Sequence, residues 1–358
     1  MEQNVIRKVT FLHEFGKTKN GEQTHLFTLE NSNGMKVKVC DYGATLVSLI
    51  VPDKDGKDTD IVLGYDNVDP YQGASAFLGA NVGRNANRIK GARCIIDGVE
   101  YNLESNDGDN GNNLHSGSNC TALKMWKAIY DENVNDKISF EILSKDMEQG
   151  FPGNLKVNLT YILTEDNELI LNYKGTTDKT TIANFTNHSY YNLNGHDSGE
   201  VYEQKLMING DYFTPFATNN SIPSGEIRSV KGTPMDFTEM KSIGRDIDVE
   251  DEQLKFGTGY DHNFMINGNA HELRLAAKAI GDKSGIKMEL YTDTPGLQLY
   301  TANFVSDESG KNGAVYNRRH AFCLEPQYVP DNINNDKFES AILKPDEEYN
   351  MNIKLKFL

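Results

Sequence analysis

Polar and apolar residues alternate along much of the chain with a period of two. Leu155, Val157, Leu159, Tyr161 and Leu163 are separated by Lys156, Asn158, Thr160 and Ile162. A turn-like Thr164-Glu165-Asp166-Asn167-Glu168 follows, and then Leu169, Leu171 and Tyr173 alternate with Asn172 and Lys174. Successive side chains of a β-strand leave opposite faces, so the pattern predicts a hairpin with one face in the core and one nearer water. The same alternation returns at 37–39, 138–142, 286–291, 297–300 and 351–357. Turn clusters such as Asp53-Lys54-Asp55-Gly56 and Gly281-Asp282-Lys283-Ser284-Gly285 separate these runs. Helical periodicity is confined to short stretches near 69–77 and 238–243. There is no Pro- or Ser-rich linker and no internal repeat. The expectation is an all-β chain with few short helices, one antiparallel β-sandwich occupying residues 1–358 as a single domain.

Length and composition narrow this only a little. A chain of 358 residues would on length alone suggest two average domains, but all-β sandwiches often run long as one unit. Hydrophobic residues make up 38% and charged residues 25%, an ordinary balance for a folded soluble chain rather than a disordered one. The formal charge of −16 disfavours nucleic acid and anionic membrane surfaces, which call for a basic patch. The segment Met1-Glu2-Gln3-Asn4-Val5-Ile6-Arg7 has no apolar leader region, and no apolar run approaches the length of a membrane span. The chain therefore reads as cytoplasmic, the alternative being a signal peptide already removed. Cys40, Cys94, Cys120 and Cys323 are scattered without a Cys-x-x-Cys pair, which suits free thiols better than a zinc site or a disulfide scaffold.

Several chemistries are missing their motifs. No Gly-x-Gly-x-x-Gly follows a strand, and there is no phosphate loop, no His-Glu-x-x-His and no Gly-x-Ser-x-Gly elbow. Six short stretches instead combine titratable groups with glycine, amides and aromatics. They are Gly83-Arg84-Asn85-Ala86-Asn87-Arg88-Ile89, Asn113-Leu114-His115-Ser116-Gly117, Thr186-Asn187-His188-Ser189-Tyr190-Tyr191-Asn192-Leu193, Tyr260-Asp261-His262-Asn263-Phe264, Pro295-Gly296-Leu297-Gln298-Leu299-Tyr300 and Leu324-Glu325-Pro326-Gln327. Planar polar groups that pair with vicinal hydroxyls, beside aromatic rings that pack on C–H faces, are what a sugar site needs.

In this order the six motifs resemble the aldose 1-epimerase (galactose mutarotase) family, from about Gly43 to Asp331. The resemblance implies a large antiparallel β-supersandwich and the interconversion of the anomers of a free aldohexose such as galactose or glucose. It implies His188 as general acid and Glu325 as general base, with Asn87, Arg88, His115, Ser189, Tyr190, Asp261 and Gln298 contacting the sugar. No metal and no cofactor are implied; the partner is a small aldose, and the protein itself is a monomer or homodimer. Ser116 and Pro326 depart from the commoner glycine and threonine of the family without removing a functional group.

Such a reaction opens the cyclic hemiacetal, turns the aldehyde about C1–C2 and recloses the ring on its other face. A base takes the C1 hydroxyl proton while an acid gives one to the ring oxygen, each positioned group contributing about 10²–10⁴-fold. An ionised carboxylate with an imidazolium suits that pair, with Glu325 expected to set the acidic limb of the pH profile and His188 the basic limb. Glu325 sits in the apolar run Ala321-Phe322-Cys323-Leu324, where an unpartnered carboxylate is costly without a function. Asp261 is expected to face the site and His262 the interior. One of Tyr190 and Tyr191 is expected to face the pocket, Arg84 to make a structural ion pair, and Asn317-Arg318-Arg319 to form a solvated turn. The rival readings are a non-catalytic sugar-binding module, a glycoside hydrolase with two carboxylates, and a hexose-6-phosphate 1-epimerase served by Arg84, Arg88 and Arg93.

Overall fold

The computed structural model describes residues 12–73, 76–131 and 136–358. Residues 1–11, on which the leader reading rests, lie outside them. The hairpin legible in the sequence forms as Leu155–Leu163 and Glu168–Thr177, with Leu159 opposite Tyr173 and Leu163 opposite Leu169. Asn167 takes a left-handed conformation in its turn, with φ of 59°, one of the few side chains that does so readily. The hairpin lies in a nine-stranded antiparallel sheet, where Tyr349–Phe357 joins it to Lys287–Thr292.

A second, six-stranded sheet runs in the order Tyr190–Tyr191, Phe322–Gln327, Gly296–Tyr300, Asp261–Met265, Tyr212–Thr214 and Arg228–Ser229. Its Phe322, Leu324, Leu297, Leu299 and Phe264 share one apolar cluster with Leu159, Tyr161, Leu171, Leu290 and Ile353 of the larger sheet. The two sheets thus face each other across a common core, each fully buried large apolar side chain contributing roughly 1.5–3 kcal/mol. The alternate residues of the same strands leave the other face. There Tyr190, Tyr300 and Cys323 pack with Cys40 and Val47 of a five-stranded N-terminal sheet and with Tyr42 in one of its turns. Both faces of the six-stranded sheet are covered, which is why Phe322–Gln327 is buried throughout.

The helices differ from expectation. At 69–77 the chain makes a single 3₁₀ turn, Pro70–Gly73, with Ala74 and Ser75 outside the described residues. At 238–243 a short strand, Lys241–Ser242, leads into the 3₁₀ turn Ile243–Arg245. The α-helix among the described residues is Glu252–Gly257, started by Asp251, whose carboxylate accepts the N–H groups of Gln253 and Leu254. It is too short to show a helical period, so its capping residue is the sequence signal it offers. No helix among the described residues is long and apolar enough to cross a membrane.

Candidate active site

The register of the six-stranded sheet assembles half of the site. Tyr190 stands opposite Cys323, Cys323 opposite Tyr300, and Tyr300 opposite Asp261. The next row sets Glu325 opposite Gln298 and Gln298 opposite Asn263. Directly opposed residues have Cβ atoms about 4.5–5.5 Å apart, so two rows bring distant motifs into contact. Pro326 is tolerated here because Tyr190–Tyr191 pairs only with Phe322 and Cys323, leaving that edge open further along.

Loops supply the other half. The short pair Arg88–Ile89 and Asn113–Leu114 holds Asn87 beside His115. The Asn87 N–H donates to His115 Nδ1 at 3.1 Å, and the His115 N–H donates to the Asn87 carbonyl at 3.0 Å. Nδ1 is therefore an acceptor, and neutral His115 carries its proton on Nε2. Asn87 Oδ1 accepts the Arg88 N–H at 2.8 Å. The Arg88 guanidinium grips Asp107 through two bonds of 2.9 and 3.3 Å. The backbone of His188 is pinned on both sides: its N–H donates to Ala80 and its carbonyl accepts from Gly79, each at 2.9 Å. Tyr190 stacks on its ring at 5.1 Å, and His115 meets it edge-on at 5.4 Å.

These groups line one pocket of about 150 Å³, with Asn87, Arg88, His115, His188, Tyr190, Asp261 and Glu325 on its wall. On its floor His188 Nε2 lies 3.5 Å from Glu325 Oε2, both residues buried, at 6% and 2% exposed.

A family model described as Aldose 1-epimerase matches residues 25–356. The chain belongs to the aldose 1-epimerase family. It is 38% identical to the galactose mutarotase of Bos taurus over 91% of this chain and 92% of that one. It is 35% identical to the aldose 1-epimerase of Escherichia coli K12, covering 95% and 96%. Among solved structures, an aldose epimerase homologue from C. elegans superposes with a TM-score of 0.85 at 31% identity, over 94% of this chain and 99% of that one. A galactose 1-epimerase from Lactobacillus acidophilus superposes at 0.83 with 28% identity, over 97% and 98%.

Seven of the residues that the family resemblance singled out meet in the pocket, and two stand behind it. Ser189 lies between His188 and Tyr190 on extended chain, so its side chain leaves the other way, and its hydroxyl donates to Asn187 Oδ1 at 2.5 Å. Gln298 has both ends engaged: its amide donates to Asp261 Oδ1 at 2.8 Å, and its carbonyl accepts from Gln327 at 3.3 Å. It holds Asp261 rather than lining the pocket. His262 turns inward onto the Phe216 ring at 4.3 Å. Tyr191 likewise joins the core, leaving Tyr190 to the pocket. Phe77, Leu114, Tyr300 and Phe304 also line the site. Of these Tyr300 was within reach of the sequence, since it alternates with Leu299 at the end of a family motif.

Two arginines differ from their sequence reading. Arg84 is fully buried, but carbonyls hold it in place of a carboxylate: Pro152 at 2.7 Å and Gly153 at 3.0 Å, with the Ser144 and Thr181 hydroxyls. Arg319 is buried at 1% exposed, donating to the Thr258 carbonyl at 2.8 Å and to Thr301 at 3.0 Å. A charged pair in a turn-like stretch looks solvated until distant carbonyls close on it.

Burial drives the floor of the pocket towards neutrality. It pushes Glu325 well above the usual carboxylate range, with the Asp261 charge adding to the effect and Arg88 opposing it. It lowers His188 to about 4. His115 is also pushed well down, by burial first and then by His188 and Arg88. Asp261 is raised by burial, against the pull of Arg88 and the Gln298 hydrogen bond.

Proposed function

We propose that this chain interconverts the α and β anomers of a free aldohexose, with Glu325 and His188 exchanging protons with the sugar. The observation that carries the reading is the buried pair, 3.5 Å apart, on the floor of a pocket small enough for a monosaccharide. Glu325 takes the C1 hydroxyl proton as His188 gives one to the ring oxygen, and reclosure reverses both transfers. Before the ring opens the pair is carboxylate and imidazolium; afterwards it is carboxylic acid and neutral imidazole. Burial favours the second form, so the carboxylate–imidazolium form is the minor one at rest, and what burial adds to the opening step offsets the cost of reaching that form.

The pair holds one proton between two sites, and that changes the expected pH profile. With Glu325 raised and His188 lowered, the acidic limb marks entry of a second proton near the His188 value and the basic limb marks loss of the shared one. This reverses the ordinary assignment of the two limbs, and both belong to the pair rather than to either residue.

Around the pair, His115 Nε2–H, the Asn87 amide, Arg88 and Asp261 serve as donors and acceptors for sugar hydroxyls, while Tyr190, Tyr300 and Phe77 supply ring faces. Arg88 is the arginine on the pocket wall, and it is committed to Asp107, while Arg93 is exposed and pairs with Glu100. This supports a neutral sugar over a hexose phosphate, which needs several converging cations. Polarimetry on freshly dissolved α-D-galactose and α-D-glucose tests the reading. Acceleration well beyond the uncatalysed drift is expected, and none for either sugar from folded protein refutes it.

A further inference from the structure

Cys323 precedes Glu325 by two residues on one strand, so both side chains leave the same face. The proton exchange proposed above has no task for it. Its Sγ nevertheless lies 3.8 Å from His188 Nδ1, on the ring whose Nε2 is 3.5 Å from Glu325 Oε2. Taking one ligand atom from each residue, sulfur, nitrogen and oxygen all fall within 4.8 Å of one another. All three residues are buried, and Glu325 Oε2 is an acceptor with no hydrogen-bond partner.

We propose that His188, Cys323 and Glu325 form a binding site for a borderline-soft divalent cation of the zinc kind, and that its occupation switches turnover off. The switching half rests on the acid–base reading given above; the binding half does not. Thiolate, imidazole and carboxylate are the ligands Zn²⁺ takes, at about 2.0–2.3 Å. Bonds of that length place ligand atoms roughly 4 Å or less apart, so closing the set needs shifts of about 1 Å. Three protein ligands leave a fourth position on the pocket side for water or a sugar hydroxyl.

Charge balance favours the site. Unfilled, the thiol is neutral, and the acid–base pair with its one proton is neutral in sum. When a divalent cation binds, the thiol proton and the shared proton leave to water. Thiolate, carboxylate, neutral imidazole and cation again sum to zero, so a buried site fills without burying net charge. Mg²⁺ and Ca²⁺ want six or more oxygens and do not suit this set. Whichever imidazole nitrogen binds, Glu325 is bound to the metal and no longer acts as a base.

Co²⁺ is the spectroscopic probe, added to the full chain, with Zn²⁺ as competitor. The expected result is a thiolate-to-cobalt charge-transfer band that saturates at a single ion per chain and is displaced by Zn²⁺. Mutarotation falls in parallel and returns with EDTA. Cys323→Ser should keep metal-free turnover, lose the band, and weaken Zn²⁺ inhibition by about 10-fold or more; Cys323→Ala serves if the serine variant does not fold. A wild-type protein without the band, or a band that survives both substitutions, overturns the site. A band without inhibition overturns the switch, and Glu325→Gln then tells whether the acid–base reading has failed with it.

Discussion

At the scale of single residues, the pocket depends on a few exchangeable atoms. Glu325→Gln and His188→Asn should each lower kcat by about 10²–10⁴-fold with the thermal midpoint little changed; normal turnover by either folded variant removes that residue from its role. The wild-type pH profile should hold activity down towards pH 4, where burial places His188. An acidic limb near the ordinary histidine value of about 6.5 would contradict that assignment. Asp261→Ala should raise KM more than kcat falls, because Asp261 stands on the pocket wall as a sugar partner and acts on Glu325 only through its charge. Gln298→Ala should do the same more weakly, since Gln298 acts by holding Asp261. Equal KM values in both variants and the wild type would take Asp261 out of the sugar contacts.

At the scale of elements, what was legible followed from period two. The hairpin at 155–177 was readable because Leu, Val and Tyr alternate with Lys, Asn and Thr over 155–161 of its first strand. The site strand Phe322–Gln327 was less so, since both its faces are covered and its core residues do not stand out from its pocket residues. Alternation set Asp261 against His262 and Tyr190 against Tyr191, and the family resemblance chose which of each pair meets the pocket, whereas the neighbours of Gln298 and Arg319 depend on strands and loops far away in sequence. Glycine within a motif can also be misread as flexible. A Cβ on Gly83 would stand 2.1 Å from the Phe185 ring, so this glycine answers to packing. Gly83→Ala should cost about 1–3 kcal/mol, seen as a lower urea midpoint; an unchanged midpoint would mean that Phe185 has room to move.

At the scale of the whole molecule, acid stability follows from buried histidines. Burial pushes down His115 and His188 and lowers His262 to about 3. The unfolded chain takes these protons below about pH 6.5, and the folded chain only at lower pH. Their contribution to stability is therefore present above about pH 6.5 and lost as pH falls. Glu325 and Asp261, raised in the fold, act in the opposite sense and limit the loss. For His262 alone the loss at pH 5 is about 2 kcal/mol. His262→Gln should therefore narrow the gap between urea midpoints at pH 7 and pH 5; an unchanged gap would mean that His262 is not held neutral.

The register of the six-stranded sheet has one more consequence. Slipping Phe322–Gln327 by one residue against Gly296–Tyr300 would exchange Glu325 for Leu324 at the pocket, because a strand has no intermediate setting. Misassembly of this sheet therefore yields a dead molecule rather than a slow one. In a preparation that is partly misfolded, bulk activity counts correctly assembled molecules, and turnover per titrated site stays constant from batch to batch.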